Sequence, residues 1–394
     1  MKKLWKLSRH FCGRQRQFVT LIPRIFLVFL GGSSVVQVVQ ATGFGFEYQS
    51  VEASARGNTY VAGFSDPSML HYNPAALSGL DSISVSVNSF LIRGQSRITQ
   101  SGTEFETDEE LLVSGSIFVA MPMSIYGKKI TLGAGVRSPY GQSSEWVQPT
   151  PFSAFGTEAE MIHLEYVLGA GVEVGRGVSI GANVFVSDSE ITTYSSGVFV
   201  PGDQQRFSGD DVSVGYQLAL HHQVSENFSW GINYRSGIRH EYEGSLNYQS
   251  IGYEWQIHPR FSMGMQAQWS GWSSVDAFRL ETPLGSNVQP VRWKDNWNLS
   301  CGVSYALDES CTLHGGYMFT ESIIDEPYHT PLNGDFDQHF LSLGFSKKFA
   351  NTEVNVAVVR LLESSQEIDQ SLYGFSGQNE SDGWFLNLGL TQTF

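Results

Sequence analysis

The sequence predicts an all-β chain, a transmembrane antiparallel β-barrel of about fourteen strands with an N-terminal hatch folded inside it. Three observations carry that prediction. Long stretches alternate apolar and polar residues up to the terminal Phe394, the links between them alternate short and long, and the chain begins like an exported protein. Composition agrees. Only 16% of the 394 residues are charged, against ~25% in ordinary soluble proteins. The mean hydropathy of −0.15 is too polar for a helical membrane bundle, but it suits a barrel in which only alternate residues meet lipid. The net charge of −15 argues against nucleic acid, whose phosphates need a basic surface.

Residues 1–41 read as a signal peptide. Lys2, Lys3, Lys6, Arg9, Arg14, Arg16 and Arg24 precede the apolar run Ile25–Leu30, and Val39-Gln40-Ala41 ends on a small residue suited to cleavage. The run is too short for a spanning helix, which needs ~20 apolar residues, and no longer apolar run follows it. Cys12 leaves with this segment. Only Cys301 and Cys311 remain, too few for a disulfide scaffold.

Residues 42–81 do not alternate. Phe44, Phe46, Tyr60, Val61, Phe64, Met69, Leu70 and Leu77 make them too apolar for a solvated tail. Asn73 is a good helix cap, Pro74 fits a first turn and Gly79 ends one, so 73–79 predicts a single compact helical turn. Some forty residues at the mouth of a barrel can fold inward as a plug.

Residues 82–394 are assigned to the barrel. Period 2 is clearest at the end, where Trp384, Leu386, Leu388, Leu390 and Phe394 interleave with Asn387, Gly389, Thr391 and Thr393. Ile83-Val85-Val87, Ile130-Leu132-Ala134-Val136, Phe228-Trp230-Ile232-Tyr234 and Trp297-Leu299-Cys301-Val303-Tyr305 repeat the pattern. In order, the expected strands are 82–98, 110–123, 128–138, 159–174, 177–195, 210–223, 227–243, 246–257, 260–282, 291–307, 310–321, 337–349, 351–364 and 384–394. Links after even strands are short, as at Tyr126-Gly127, Gly175-Arg176 and His258-Pro259. Links after odd strands are mostly long, as at 139–158, 196–209, 322–336 and 365–383. Short turns on one side and long loops on the other place both termini at the periplasmic side of an outer-membrane barrel.

The residues resemble a known family, the outer-membrane long-chain fatty-acid transporters (FadL-like), which include aromatic-hydrocarbon channels. Gly43-Phe44, Ala53–Gly63 and the plug motif Tyr72-Asn73-Pro74-Ala75 open the resemblance. Ser138-Pro139-Tyr140-Gly141 with Trp146 resembles the end of the family's third strand. Tyr234-Arg235-Ser236, Trp269–Ser274, Trp293–Trp297, Gly315-Gly316-Tyr317, Thr330-Pro331-Leu332 and Leu341–Gly344 follow in family order. The short link near Gly244-Ser245 departs from the pattern and trims one extracellular loop.

The resemblance implies a fourteen-stranded barrel with an N-terminal hatch. It also implies uptake of hydrophobic molecules, with long-chain fatty acids or hydrocarbons as partners, and lateral exit into outer-membrane lipid near a kink in the third strand. Gly133, Ala134 and Gly135 permit such a bend, or else serve close packing against the plug. Alternation points Arg137, Arg235 and Arg239 inward, with Lys294 as a fourth candidate contact for a ligand carboxylate. The competing assignment is that these cations line the wall and pair with inward acids such as Glu241. A diffusion porin and a structural or receptor protein are the alternatives. No nucleophile motif points to an enzyme, His221 and His222 face opposite sides of one strand, and neither a metal nor another cofactor is expected. The terminal Phe394 makes the barrel-assembly machinery a further expected partner.

Overall fold

The computed structural model describes residues 45–394 apart from 64–65, 110, 155, 198–202, 240–244, 276, 283–284, 332–334, 370 and 373–375. The signal-peptide assignment, residues 42–44 and Glu241 lie outside the described residues.

Sixteen strands share one antiparallel sheet. They are β1 (Ser84–Gln100), β2 (Thr103–Glu106), β3 (Leu111–Ile125), β4 (Lys128–Arg137), β5 (Gly141–Glu145), β6 (Glu158–Gly175), β7 (Val178–Ser196), β8 (Gln204–Ser225), β9 (Phe228–Arg239), β10 (Ser245–His258), β11 (Phe261–Ser270), β14 (Asn296–Ala306), β15 (Cys311–Thr320), β16 (Gln338–Phe349), β17 (Thr352–Ile368) and β18 (Gly377–Thr393). A separate hairpin, β12 (Ala277–Thr282) with β13 (Gly285–Pro290), stands in the link between β11 and β14. β2 folds back on β1 and β5 continues the line of β4, which leaves fourteen wall strands. The wall closes where β18 pairs with β1, Ser84 opposite Thr393, and the Phe394 amide donates to the Ile83 carbonyl at 2.8 Å.

The wall forms because each face meets a different solvent. On β16, Leu341, Leu343 and Phe345 are exposed, whereas Phe340, Ser342 and Ser346 of the alternate register are buried. A closed ladder satisfies every backbone group without water, which a hydrocarbon surround demands. Several expected boundaries move. The strand placed at 260–282 stops at Ser270, the one placed at 291 starts at Asn296, the one placed at 210 starts at Gln204, and the last strand starts at Gly377.

Residues 45–80 pack against the inner wall. They form two short helices, α1 (Val51–Ala55) and α2 (Met69–Tyr72), and a 3-10 turn at Pro74–Gly79. Asn73 caps that turn, its Oδ1 accepting from the Ala75 amide at 3.1 Å, with Pro74 in first position. Its Nδ2 donates to the Val61 and Leu220 carbonyls at 2.7 and 3.2 Å. Irregular backbone sealed from water needs partners, and wall side chains provide them. Gln266 Oε1 accepts from the Tyr60 and Val61 amides, Asn183 donates to the Leu70 carbonyl, and Gln217 donates to the His71 carbonyl. The approach is close enough that a Cβ at wall residue Gly181 would overlap the backbone of Pro74 and Ala75.

Cys301 and Cys311 are free thiols. Cys301 stands opposite Tyr317 across the β14–β15 ladder and Cys311 opposite Lys347, so the two lie in different rows.

Candidate functional site

Three features meet in the upper lumen: a charge cluster, a broken strand and an apolar column. The cluster grows from alternation. On β6, Met161, His163, Glu165 and Val167 face inward, and Glu165 pairs in register with Arg137 at the end of β4. Arg137 Nε donates to Glu165 Oε2 at 2.7 Å, and Arg235 of β9 donates from Nη1 to the same oxygen at 3.0 Å and from Nη2 to Oε1. Arg235 reaches there across the Phe185 ring, 3.9 Å from its centroid, a cation–π contact strengthened by exclusion of water. All three charged side chains are fully buried. Ser187 Oγ lies 2.9 Å from His163 Nε2, which is 3.4 Å from Glu165 Oε1. Arg137 Nη1 donates to His71 Nδ1 at 2.9 Å, tying the N-terminal segment to the cluster. Burial, helped by Arg137, holds His71 well below the usual histidine range, so its imidazole is neutral and accepts that bond. Arg137 Nη2 and Arg235 Nε are buried without a hydrogen-bond partner.

The third wall strand breaks immediately after Arg137. β4 pairs with β3 only as far as Val136 opposite Ile117, and with β6 as far as Glu165. β5 resumes pairing with β6 at Gly141 opposite Ile162, so Ser138–Tyr140 insert one extra residue against β6. Pro139 has no N–H to give to a ladder. The expectation of a kink at Gly133–Gly135 is therefore corrected. Those residues pair continuously with both neighbours, and Gly133 faces Leu70 and Leu77 of the N-terminal segment. The N-terminal segment itself crosses the break. Gly45 bridges Tyr140, and the Phe46 amide donates to the Pro139 carbonyl at 2.8 Å. Gln49 Nε2 donates to the Ser138 carbonyl at 2.8 Å, Gln49 Oε1 accepts from the Ser138 amide at 3.2 Å, and Ser116 Oγ of β3 donates to the Gln49 carbonyl at 2.7 Å.

An apolar column passes over the cluster. Leu70, Leu77, Phe118, Met161, Phe185 and Ile238 continue upward into loop residues Trp272, Val275, Val291, Trp293, Ile323 and Ile324. The loop residues are tied to one another: the Trp293 amide donates to the Val275 carbonyl at 3.2 Å and the Lys294 amide to the Ile323 carbonyl at 2.8 Å.

Of the four cations expected in the lumen, the structure brings Arg137 and Arg235 together. The Arg239 side chain lies outside the described residues. Lys294 is corrected: its side chain is exposed and pairs with Asp325 at 3.3 Å. The strand begins at Asn296 rather than 291, so alternation does not govern Lys294. Sequence reasoning missed Glu165, although its inward register between Leu164 and Tyr166 was readable in the same way as that of the arginines. Nothing periodic marked Gln49 or Phe46.

Residues 32–252 and 246–394 match the family described as "Outer membrane protein transport protein (OMPP1/FadL/TodX)". The chain belongs to that family. It is accordingly an outer-membrane barrel of a transport family. A Neisseria meningitidis serogroup B protein, named as an outer membrane protein, is 27% identical over 75% of this chain, and the match spans 65% of that relative. The long-chain fatty acid transport protein of Escherichia coli K12 is 19% identical over 90% of this chain and 95% of its own length. Among solved structures, a Pseudomonas aeruginosa FadL homologue superposes with a TM-score of 0.76 at 17% identity, covering 90% of this chain and all (100%) of its own. The Pseudomonas putida toluene transporter TodX gives 0.68 at 16%, covering 91% and 100%. At such identities the likeness establishes the fold.

Asp66 offers a pH test of how the N-terminal segment is seated. Its side chain is buried and accepts from the Ser68 amide at 2.6 Å. Burial pushes its carboxyl up to about 7, opposed by Ser68 and assisted by Glu52 and Glu353. The folded carboxyl therefore holds its proton more tightly than an unfolded one, which titrates near ~3.9. Its contribution is fully present below that value and is lost as pH rises through about 7. Limited proteolysis of residues 50–72 should accelerate from pH 5 to pH 8, after correction for protease activity. Asp66→Asn should flatten that dependence.

Proposed function

We propose that the chain takes up hydrophobic molecules, long-chain fatty acids foremost, and releases them sideways into the membrane through the broken third strand. The observation that carries this reading is the position of the break. Ser138–Tyr140 directly follow Arg137, lie beneath the apolar column and are crossed by residues 45–49. Residues 45–80 act as the hatch, and Asn73, Pro74 and Ala75 hold its tight turn against the wall.

A fatty acid first meets the loop residues Trp272, Trp293, Ile323 and Ile324. It then moves down the column, gaining ~0.8 kcal/mol per methylene removed from water. Within the hydrogen-bonded cluster two guanidiniums face one carboxylate, and Arg137 Nη2 and Arg235 Nε still have donors to offer. That surplus favours a ligand carboxylate over a neutral hydrocarbon. A carboxylate there competes with Glu165 for Arg137 and so loosens the chain at Ser138. The strap of Gly45, Phe46 and Gln49 is the last barrier, and outer-membrane lipid receives the ligand.

Uptake of labelled oleate tests this reading in cells lacking their own transporter. Expression of the chain should raise the initial rate, and Arg235→Met should lower oleate uptake more than toluene uptake. An oleate rate equal to the empty-vector control contradicts it.

A further inference from the structure

The wall carries a recess on its lipid-facing side, away from the lumen and its break. Trp230, Tyr253, Met265, Cys301 and Tyr317 occupy one hydrogen-bonded row across β9, β10, β11, β14 and β15. The next row toward the long loops carries Ile251, Ala267 and Leu299. Small side chains at Ala267 and Cys301 leave a groove of about 600 Å³ between the larger ones, with Phe228 at its lower end. Tyr253 Oη donates to Met265 Sδ at 2.6 Å, and Tyr317 Oη lies 2.7 Å from His339 Nδ1. Both phenol hydroxyls are thus engaged by the wall itself, and the groove presents hydrocarbon.

We propose that this groove seats one acyl chain of a zwitterionic phosphoethanolamine glycerolipid from the periplasmic leaflet. Depth favours that leaflet. The lining begins at Phe228, next to the short turn at Asn227, and ends at the Ile251 row, four residues or roughly 13 Å along the strand at ~3.3 Å per residue. Half of a ~30 Å hydrocarbon core is comparable. Charge at the turns identifies the head group. Arg260, exposed in the turn joining the two central strands of the groove, suits a phosphate. Glu226 and Glu309, exposed in the turns on either side, suit the ammonium of the same head group. A second copy of the barrel would need complementary protruding side chains to fill the groove, whereas a lipid chain fits it as it stands.

Native mass spectrometry of the purified barrel, after exchange with palmitoyl-oleoyl phosphatidylethanolamine and then detergent washing, tests the proposal. The parent should keep one lipid per barrel. Ala267→Phe and Cys301→Phe, which fill the groove from two strands, should each lower retention on the order of tenfold. Arg260→Gln should shorten retention severalfold, and Leu168→Phe, on the lipid face of β6 three strands away from β9, should leave it unchanged. Heat-modified migration confirms that each variant is folded. Parental retention by either groove-filling variant or by Arg260→Gln overturns the proposal, as does equal retention of phosphatidylglycerol.

Discussion

Replacing Gly181 with valine should unseat residues 73–79 and turn the filled barrel into a leaky pore. A Cβ at this position would overlap the backbone of Pro74 and Ala75. Backbone in a capped turn yields far less readily than a flexible side chain, and close-packed interiors have no space to absorb the displacement. Gly181 lies mid-strand with a complete ladder to Gly171 and Ala219, so the wall itself keeps its hydrogen bonds. The variant should therefore insert at normal levels while the turn at 73–79 detaches. The expected result is a severalfold rise in single-channel conductance in planar bilayers and in cellular sensitivity to large antibiotics. Parental conductance at matched surface expression would show that the close approach is not what holds the segment.

Glu165→Gln should be the most damaging single change in the lumen. Glu165 is the sole acid in hydrogen-bonding contact with Arg137 and Arg235 among the described residues. Removing its charge leaves two buried guanidiniums facing each other, and breaking such a group costs roughly 3–5 kcal/mol. Arg137→Met should be milder, because the two-pronged contact of Arg235 with Glu165 survives it. Thermal unfolding followed by heat-modified gel migration should rank the parent first, Arg137→Met second and Glu165→Gln last. Proteolytic nicking near Ser138 should rise in both variants, since Arg137 is the residue before the break and its bond to Glu165 holds it there. Equal midpoints for the two variants would mean that the cluster does not act as one group.

The parts of this fold that meet lipid were legible in the sequence, because hydrocarbon imposes a strict period. The row Trp384, Leu386, Leu388 and Leu390 is exposed as expected, and Arg137 and Arg235 were placed inward by the same rule. Alternation failed where strands leave the membrane. Lys294 was assigned from a strand that starts two residues later, and the segment after Ser270 is a short 3-10 turn and a hairpin rather than more wall. The break was misplaced onto Gly133–Gly135 because glycine permits a bend without requiring one. Pro139, which cannot join a ladder, was the stronger signal. The strap of Gly45, Phe46 and Gln49 had no sequence signature, since its bonds run from backbone and one amide to residues some ninety positions away.

Sideways release past that strap is most directly tested by locking it. Gly45 and Tyr140 form an antiparallel bridge, and Cα atoms so paired lie ~4.5–5.5 Å apart, within reach of a disulfide. The pair Gly45→Cys with Tyr140→Cys should be built in a Cys301→Ser, Cys311→Ser background, and initial oleate uptake measured before and after reduction. Oxidised cells should fall to the empty-vector rate, and reductant should restore uptake to that of the single Tyr140→Cys variant. Equal uptake in the oxidised and reduced states, with the bridge verified by mass, would contradict release through the break.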